Sequence, residues 1–81
     1  MNYKLSKHAV DVLNSRNIEI DWIDYVLNNP SAKVIKKSNE VNYFALIIEN
    51  ENRCLKVVLN PISMIVVTAY FDRDMRKKGC R

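Results

Sequence analysis

The pattern of apolar residues changes once along the chain, near residue 33, and this change limits what the chain can fold into. Before it, apolar residues recur at helical spacing; after it, β-branched and aromatic runs alternate with short polar turns. The pattern predicts helices over about residues 6–16 and 20–29 and strands over about residues 33–37, 41–49, 53–59 and 64–71. Because the connections between the strands are short, consecutive strands should pair antiparallel. The expected fold is α+β, with two N-terminal helices packed on a four-stranded antiparallel β-meander.

Local signals support the two helices. Ser6 stands just before the first apolar position, where its side chain can cap a helix by accepting a hydrogen bond from a backbone N–H one turn further on. Asp21 and Asp24 lie early in the second helix, where the helix dipole favours carboxylates. Pro30 ends that helix, since proline disfavours helical geometry in the preceding residue.

Length and composition indicate a single folded domain, and the distribution of charge indicates which partners it could bind. The 81 residues, 48% of them hydrophobic and only one of them glycine, are expected to fold as a single domain over residues 1–81. Residues 1–32 carry three Lys or Arg against four Asp or Glu, whereas residues 33–81 carry ten against five. This asymmetry favours a polyanion or an acidic protein as partner, although simple solubility would explain a basic chain equally well.

We expect no metal site, no redox-active cysteine motif and no membrane-spanning segment. Cys54 and Cys80 lack the paired spacing of a zinc or redox site, and with one histidine there are too few soft ligands for a metal centre. We expect both cysteines to be reduced thiols, and we expect no cofactor. The first residues lack an apolar signal core and the longest apolar run, 62–71, is too short to cross a bilayer. The protein is expected to be soluble and cytoplasmic.

Four short motifs follow one another in a particular order. They are S-K-H-A at residues 6–9, L-x-x-R-x-I at 13–18, I-x-x-V-L-x-N-P at 23–30 and V-x-T-x-Y at 66–70. In order and spacing they resemble the domain of unknown function numbered 4258. Two positions depart from that family's pattern: Glu19 stands where Ser or Thr usually caps the second helix, and Asn17 stands where glycine is common.

The resemblance carries functional implications. It implies kinship with RelE-like and BrnT-like toxins, in the fold grouping of barnase, EndoU, colicin and RelE, whose small α+β domains cleave RNA. By this resemblance the chain is expected to be a metal-independent endoribonuclease toxin of a bacterial toxin–antitoxin system. RNA, in some cases on the ribosome, and an antitoxin protein would be its partners.

His8 is the first candidate for the chemistry. RNA cleavage without a metal needs a base for the ribose 2′-hydroxyl, cations or donors for the crowded phosphorane, and an acid for the departing 5′-oxygen. His8, at the start of the first predicted helix, can serve as base or acid. The alternative is that it packs against the sheet with its ring hydrogen-bonded, and the sequence leaves both open.

Thr68 and Tyr70 are further catalytic candidates. Strict alternation along the last predicted strand places them on one face together with Met64 and Val66. Their hydroxyls can hydrogen-bond a phosphate, and Tyr70 can also stack on a base or donate a proton. Both residue types favour strands in any case, so ordinary strand composition explains them as well.

Several basic residues are candidate phosphate contacts: Arg16, Lys56, Arg73, Arg76, Lys77 and Lys78. Arg16 lies about 12 Å beyond His8 along a helix axis, so the two act on the same bond only if the arginine reaches back. The alternative to phosphate binding is that Arg16 closes the helix structurally. Lys56 interrupts an apolar strand and lies either near the site or in water on the helix-free side of the sheet. The tail, residues 72–81, would add affinity that falls with salt, or is a solvated chain end.

Two other functional classes explain the same features. A non-catalytic module could bind nucleic acid or an acidic protein through the basic half without needing His8. An accessory domain could have lost its ancestral chemistry. An exposed edge of the predicted sheet is compatible with a homodimer or with an added partner strand.

Overall fold

The computed structural model describes residues 1–78 and 80, with the backbone alone for residues 76–78. Gly79 and Arg81 of the predicted tail lie outside the described residues. The elements in chain order are β1 (Lys4–Leu5), α1 (Lys7–Ser15), α2 (Ile20–Asn28), β2 (Ala32–Lys37), β3 (Glu40–Ile47), a 3-10 helix (Ile48–Asn50), β4 (Arg53–Asn60), β5 (Ile65–Phe71) and α3 (Arg73–Lys78). The chain is a small α+β fold.

The sheet has five strands in the order β1-β5-β4-β3-β2. Strands β2 to β5 pair antiparallel, as their short connections indicate. Strand β1 adds a parallel edge, with Lys4 opposite Ile65 and Leu5 opposite Val66. The prediction of four strands, all antiparallel, is therefore wrong in this respect. A strand of two residues shows too little alternation to be recognised from the sequence. Parallel pairing needs a long connection, and here the elements between β1 and β5 provide it.

Helix α1 is fixed at its start by Ser6. The Ala9 N–H donates to Ser6 Oγ at 2.9 Å, so Ser6 caps the helix. The same hydroxyl donates to the Val67 carbonyl at 2.9 Å, and the Ser6 N–H donates to the Val66 carbonyl at 3.0 Å. One serine therefore both begins α1 and ties it to β5.

Helix α1 ends in a Schellman motif. The Ile18 N–H donates to the Leu13 carbonyl at 3.0 Å, and both side chains are buried. Between α1 and Ile18, Asn17 adopts the left-handed region with φ 54°. Asparagine tolerates that conformation better than most non-glycine residues.

Helix α2 begins at Ile20 although Glu19 makes no side-chain cap. Its buried side chains Ile23, Val26 and Leu27 face the sheet, and it ends just before Asn29 and Pro30. Both α1 and α2 have nine residues. Among the described residues, no helix is both long enough and apolar enough to cross a membrane.

The two faces of the sheet are covered unequally. The main core lies between the sheet and helices α1 and α2, and includes Ile23, Tyr43, Leu55 and Val57. On the opposite face a smaller cluster joins Phe44 to Cys54, Cys80 and Met75. The second face is therefore partly covered, by α3.

An irregularity in β5 changes which residues share a face. Thr68 is opposite Val58, but Val66 is opposite Leu59, so Val67 is an extra residue in β5. Val66 and Ala69 are both fully buried in the main core. The prediction that Val66 shares a face with Thr68 and Tyr70 is therefore wrong, because the bulge interrupts the strict alternation on which it rested.

The cysteines also differ from the prediction. Cys54 and Cys80 form a disulfide, with Cα atoms 6.0 Å apart. They are not the reduced thiols that the sequence spacing suggested. Residues 73–78, predicted as part of the basic tail, form α3, and this helix brings Cys80 back to the start of β4. A spacing rule for local motifs gives no information on a pair that the fold brings together.

Candidate functional site

A groove of about 380 Å³ lies between α1 and the outer edge of β5. Strand β1 pairs only with residues 65 and 66, so in the described part of the chain no strand lies beside the remainder of this edge. The lining residues are His8, Val12 and Arg16 from α1, and Thr68, Ala69, Tyr70 and Phe71 from β5. The groove therefore contains all three predicted catalytic residues.

Helical spacing explains why two distant residues of α1 reach the same groove. His8, Val12 and Arg16 recur every four residues and so form one stripe along the helix. Arg16 is also the C-cap residue, and its backbone N–H donates to the Val12 carbonyl at 2.9 Å. Its side chain is exposed and lines the groove, as does the exposed side chain of His8.

Lys56 joins the site through Tyr70. The two residues are opposite each other on β4 and β5, and Lys56 Nζ donates to the Tyr70 hydroxyl at 2.7 Å. Because an ammonium group has only protons to give, the Tyr70 oxygen accepts in this bond and its own O–H proton can be donated elsewhere. Lys56 thus lies on the face opposite α1 and α2, as one alternative expected, and it also contacts a groove residue.

Aromatic rings hold Lys56 in this position. Its Nζ lies 4.9 Å from the centre of the Tyr70 ring and 5.9 Å from that of Phe44, its neighbour on β3. Cation–π attraction of this kind restrains a long side chain that would otherwise sample many rotamers. Phe44 is 3% exposed, so its ring is held in place by the surrounding core and gives Lys56 a constant contact.

Phe71 also lines the groove, and its ring is held by neighbours. Its ring meets that of Trp22 edge to face, with centres 6.3 Å apart, and the Arg53 guanidinium lies 4.5 Å from its centre. Contacts from α2 and β4 therefore fix the end of β5. Tyr70, next to Phe71, is 36% exposed and accessible to a ligand.

The charge of the His8 groove distinguishes it from two other grooves on the surface. None of its seven lining residues is acidic, while Arg16 is a full cation. A second groove is lined by Glu19, Asp21 and Glu49. A third contains Glu51, Asp72 and Asp74 beside two arginines. Of these three, the His8 groove is the one whose charge suits an anionic ligand.

The predicted tail residues are only partly located. Arg73 lines the third groove and does not reach the His8 groove. Arg76, Lys77 and Lys78 lie on α3, but their side chains are outside the described part of the structure. Among the described residues, no group of three or more His, Cys, Asp or Glu is placed to hold a metal ion.

One contributor to the site had no signal in the sequence. Phe44 lies in a strand whose residues 41–45 are all buried, so nothing marks it as the neighbour of a functional lysine. Knowledge of the register between β3, β4 and β5 would have revealed it, because Phe44, Lys56 and Tyr70 form one row across the sheet.

Fold and groove together define a small α+β domain with a cationic, hydroxyl-bearing groove at a sheet edge. The family model described as Domain of unknown function (DUF4258) matches residues 5–71, and the chain belongs to this family. The match ends with β5, so α3 and Cys80 lie beyond it. No curated protein and no solved structure matches the chain significantly.

Proposed function

We propose that this protein is a metal-independent endoribonuclease, and that it acts as the toxin of a toxin–antitoxin pair. The observation that carries the proposal is a groove lined both by His8 and Arg16 from α1 and by Thr68 and Tyr70 from β5. Base, cation and hydroxyl donors are the groups that such cleavage requires.

The groups divide the chemistry as follows. His8 accepts the proton of the ribose 2′-hydroxyl, and the resulting oxygen attacks the adjacent phosphorus. Arg16 and Lys56 offset the negative charge that builds on the phosphorane oxygens. Thr68 orients the phosphate by hydrogen bonding, and Tyr70 donates its proton to the departing 5′-oxygen. The hydrogen bond from Lys56 supports this role of Tyr70, since it leaves the phenolic proton free.

Phosphate contacts outside the groove would supply affinity. The sequence of α3 includes Arg73, Arg76, Lys77 and Lys78, and the helix follows β5 directly. Contacts to the RNA backbone from such a helix add binding without sequence preference and weaken as salt rises. An acidic antitoxin that covers these cations would inhibit the enzyme. A cytoplasmic location would give the enzyme access to RNA.

The alternative function is a binding module that holds RNA or an acidic protein without cleaving it. The row of Phe44, Lys56 and Tyr70 favours this alternative, since an ammonium beside two rings can hold phosphate and base without a catalyst. This arrangement does not need His8.

The test compares wild-type protein, His8→Ala and Lys7→Ala with a mixed RNA substrate in EDTA, scoring cleavage and binding together. Lys7 is an exposed neighbour on α1 that does not line the groove, so it is the matched control. We expect His8→Ala to lose cleavage by at least about 100-fold, the usual contribution of a general base, while it keeps RNA binding. Lys7→Ala should cleave like the wild type.

Two outcomes would contradict the enzyme. Equal cleavage by wild type and His8→Ala would point to a contaminating nuclease or to a different catalytic residue. Binding without cleavage, both in free RNA and with ribosomes added, would favour the binding module.

A further inference from the structure

Helix α3 is held at both ends. At its start, Asp72 Oδ1 accepts from the backbone N–H groups of Asp74 and Met75 at 3.0 and 3.1 Å, and the Asp72 N–H donates to the Cys54 carbonyl at 2.8 Å. Beyond its end, the Cys80 N–H donates to the Met75 carbonyl at 2.9 Å and the Cys54–Cys80 disulfide joins the chain to β4. Among the described contacts between α3 and β4, the disulfide is the covalent one.

Phe44 connects this attachment to the candidate site. Its ring packs in one buried cluster with Cys54, Cys80 and Met75. The same ring lies 5.9 Å from Lys56 Nζ, which in turn donates to Tyr70. One aromatic side chain therefore contacts both the attachment of α3 and Lys56.

We propose that the Cys54–Cys80 disulfide is a redox-sensitive clamp that holds the basic helix α3 beside the Lys56–Tyr70 pair. The inference rests on the proposed function and names a regulation of its site. In the oxidised form the cations of α3 and the groove act on the same RNA. In the reduced form α3 detaches, and RNA binding weakens.

The chemical step is a thiol–disulfide exchange with a dithiol. A thiolate of the dithiol attacks one sulfur of the disulfide, and its second thiol resolves the mixed disulfide. Two electrons and two protons pass to Cys54 and Cys80, which become thiols, while the dithiol becomes a disulfide.

Two features make release of α3 the consequence of reduction. A helix of six residues is too short to be stable by itself in water, so it depends on its attachments. Both sulfurs belong to buried residues, with Cys54 2% and Cys80 1% exposed, so reduction requires local opening of α3. Once the bond is broken, the described contacts that still hold the helix are non-covalent: the Asp72 hydrogen bonds, the Cys80 N–H bond to the Met75 carbonyl, and the packing of Met75 and Cys80 against Phe44.

A cytoplasmic location would make the redox state of this disulfide variable. Disulfides are rare in the cytoplasm, and those that occur there are usually transient or redox-sensing. A cytoplasmic form of this protein would therefore be reduced at rest and would tighten its hold on RNA under oxidising conditions.

The experiment measures clamp and binding separately on the full chain, oxidised or reduced with dithiothreitol. Clamp opening is followed by the rate of trypsin cleavage after Arg76 and Lys77, with the fragments identified by mass spectrometry. Binding is followed by fluorescence anisotropy of a labelled 12-nucleotide RNA that carries 2′-O-methyl groups and resists cleavage. Cys80→Ala serves as a permanently open form, and the fluorescence of Trp22 verifies that each form is folded.

We expect reduction to speed trypsin cleavage in α3 by about tenfold or more, as local opening becomes favourable. RNA affinity should fall about five- to tenfold, the loss expected for one or two phosphate contacts. Cys80→Ala should match the reduced protein in both measurements and should not respond to dithiothreitol.

The outcomes that overturn the proposal are distinct. An unchanged trypsin rate means that α3 does not open, and faster cleavage with unchanged RNA affinity means that the helix does not serve the site. In both cases RNA binding by the oxidised protein leaves the proposed function standing. Failure of the oxidised protein to bind RNA at all overturns the proposed function, and the clamp's role with it.

Discussion

Replacement of Ser6 by alanine should destabilise the protein by about 1.5 kcal/mol. The variant loses the cap of α1, since the Ala9 N–H no longer has the Ser6 oxygen at 2.9 Å, and an N-cap of this kind contributes about 1 kcal/mol. It also loses the 2.9 Å hydrogen bond to the Val67 carbonyl. Because that carbonyl lies in an exposed part of β5 and can bind water instead, this second loss is about 0.5 kcal/mol, at the lower end for a hydrogen bond.

Urea denaturation followed by tryptophan fluorescence suits this test. Trp22 is the only tryptophan of the chain, and its ring contacts Phe71 at the end of β5. When the same fluorescence is followed on heating, the melting temperature of Ser6→Ala should be about 6 to 12 °C lower than that of the wild type, the range expected for this loss in a domain of this size. Ser15→Ala is the matched control, because the Ser15 hydroxyl donates to the Val12 carbonyl at 3.3 Å in an exposed position. It should change stability by less than about 0.5 kcal/mol.

Equal stability of Ser6→Ala and Ser15→Ala would contradict this prediction. Ser6 would then be neither an effective cap nor a tie between α1 and β5. Ser6→Thr provides a further check, since threonine keeps a hydroxyl that can make both bonds and should retain most of the stability.

Three other predictions test separate features. Asn42→Leu should raise the free energy of unfolding by about 1 kcal/mol, since Asn42 is 1% exposed and its Oδ1 has no hydrogen-bond partner among the described residues; a lower melting temperature would show that the amide is satisfied. Burial, reinforced by the Asp24 carboxylate, raises the pKa of Tyr3, so its contribution to stability is complete below the unfolded pKa of about 10 and is lost as the pH rises through the folded pKa. Urea midpoints between pH 9 and 11 should therefore fall less steeply for Tyr3→Phe than for the wild type, and parallel curves would contradict this. Lys56→Gln and Tyr70→Phe should each slow RNA cleavage and together do little more than the worse of the two, because the pair acts as one unit; additive losses in a double-mutant cycle would show independent roles.

Local signals made the helices predictable. The cap by Ser6 and the stop at Pro30 depend on neighbours within a few residues, and the structure places α1 and α2 within one or two residues of the expected ranges. The short turns likewise indicated the antiparallel pairing of β2 to β5. These features require no knowledge of how distant parts of the chain meet.

Features that depend on distant contacts could not be predicted. Lys4 and Leu5 become a strand only because Ile65 and Val66 lie beside them. The disulfide forms because α3 returns Cys80 to β4, 26 residues after Cys54. No local pattern contains either relationship.

The candidate site shows the same division. His8, Thr68 and Tyr70 stand out by residue type, and all three line one groove. The hydrogen bond between Lys56 and Tyr70 follows from a register set by the bulge in β5, which strict alternation cannot reveal.

The proposed mechanism requires the groove to activate a ribose 2′-hydroxyl of the RNA. The most direct test incubates the protein in EDTA with one RNA oligonucleotide and with the same sequence carrying 2′-O-methyl groups throughout, and identifies the product ends by mass spectrometry. By this mechanism only the unmodified RNA is cut, and the cut leaves a 2′,3′-cyclic phosphate and a 5′-hydroxyl. Cleavage of the methylated strand, or products with 5′-phosphates, would contradict it.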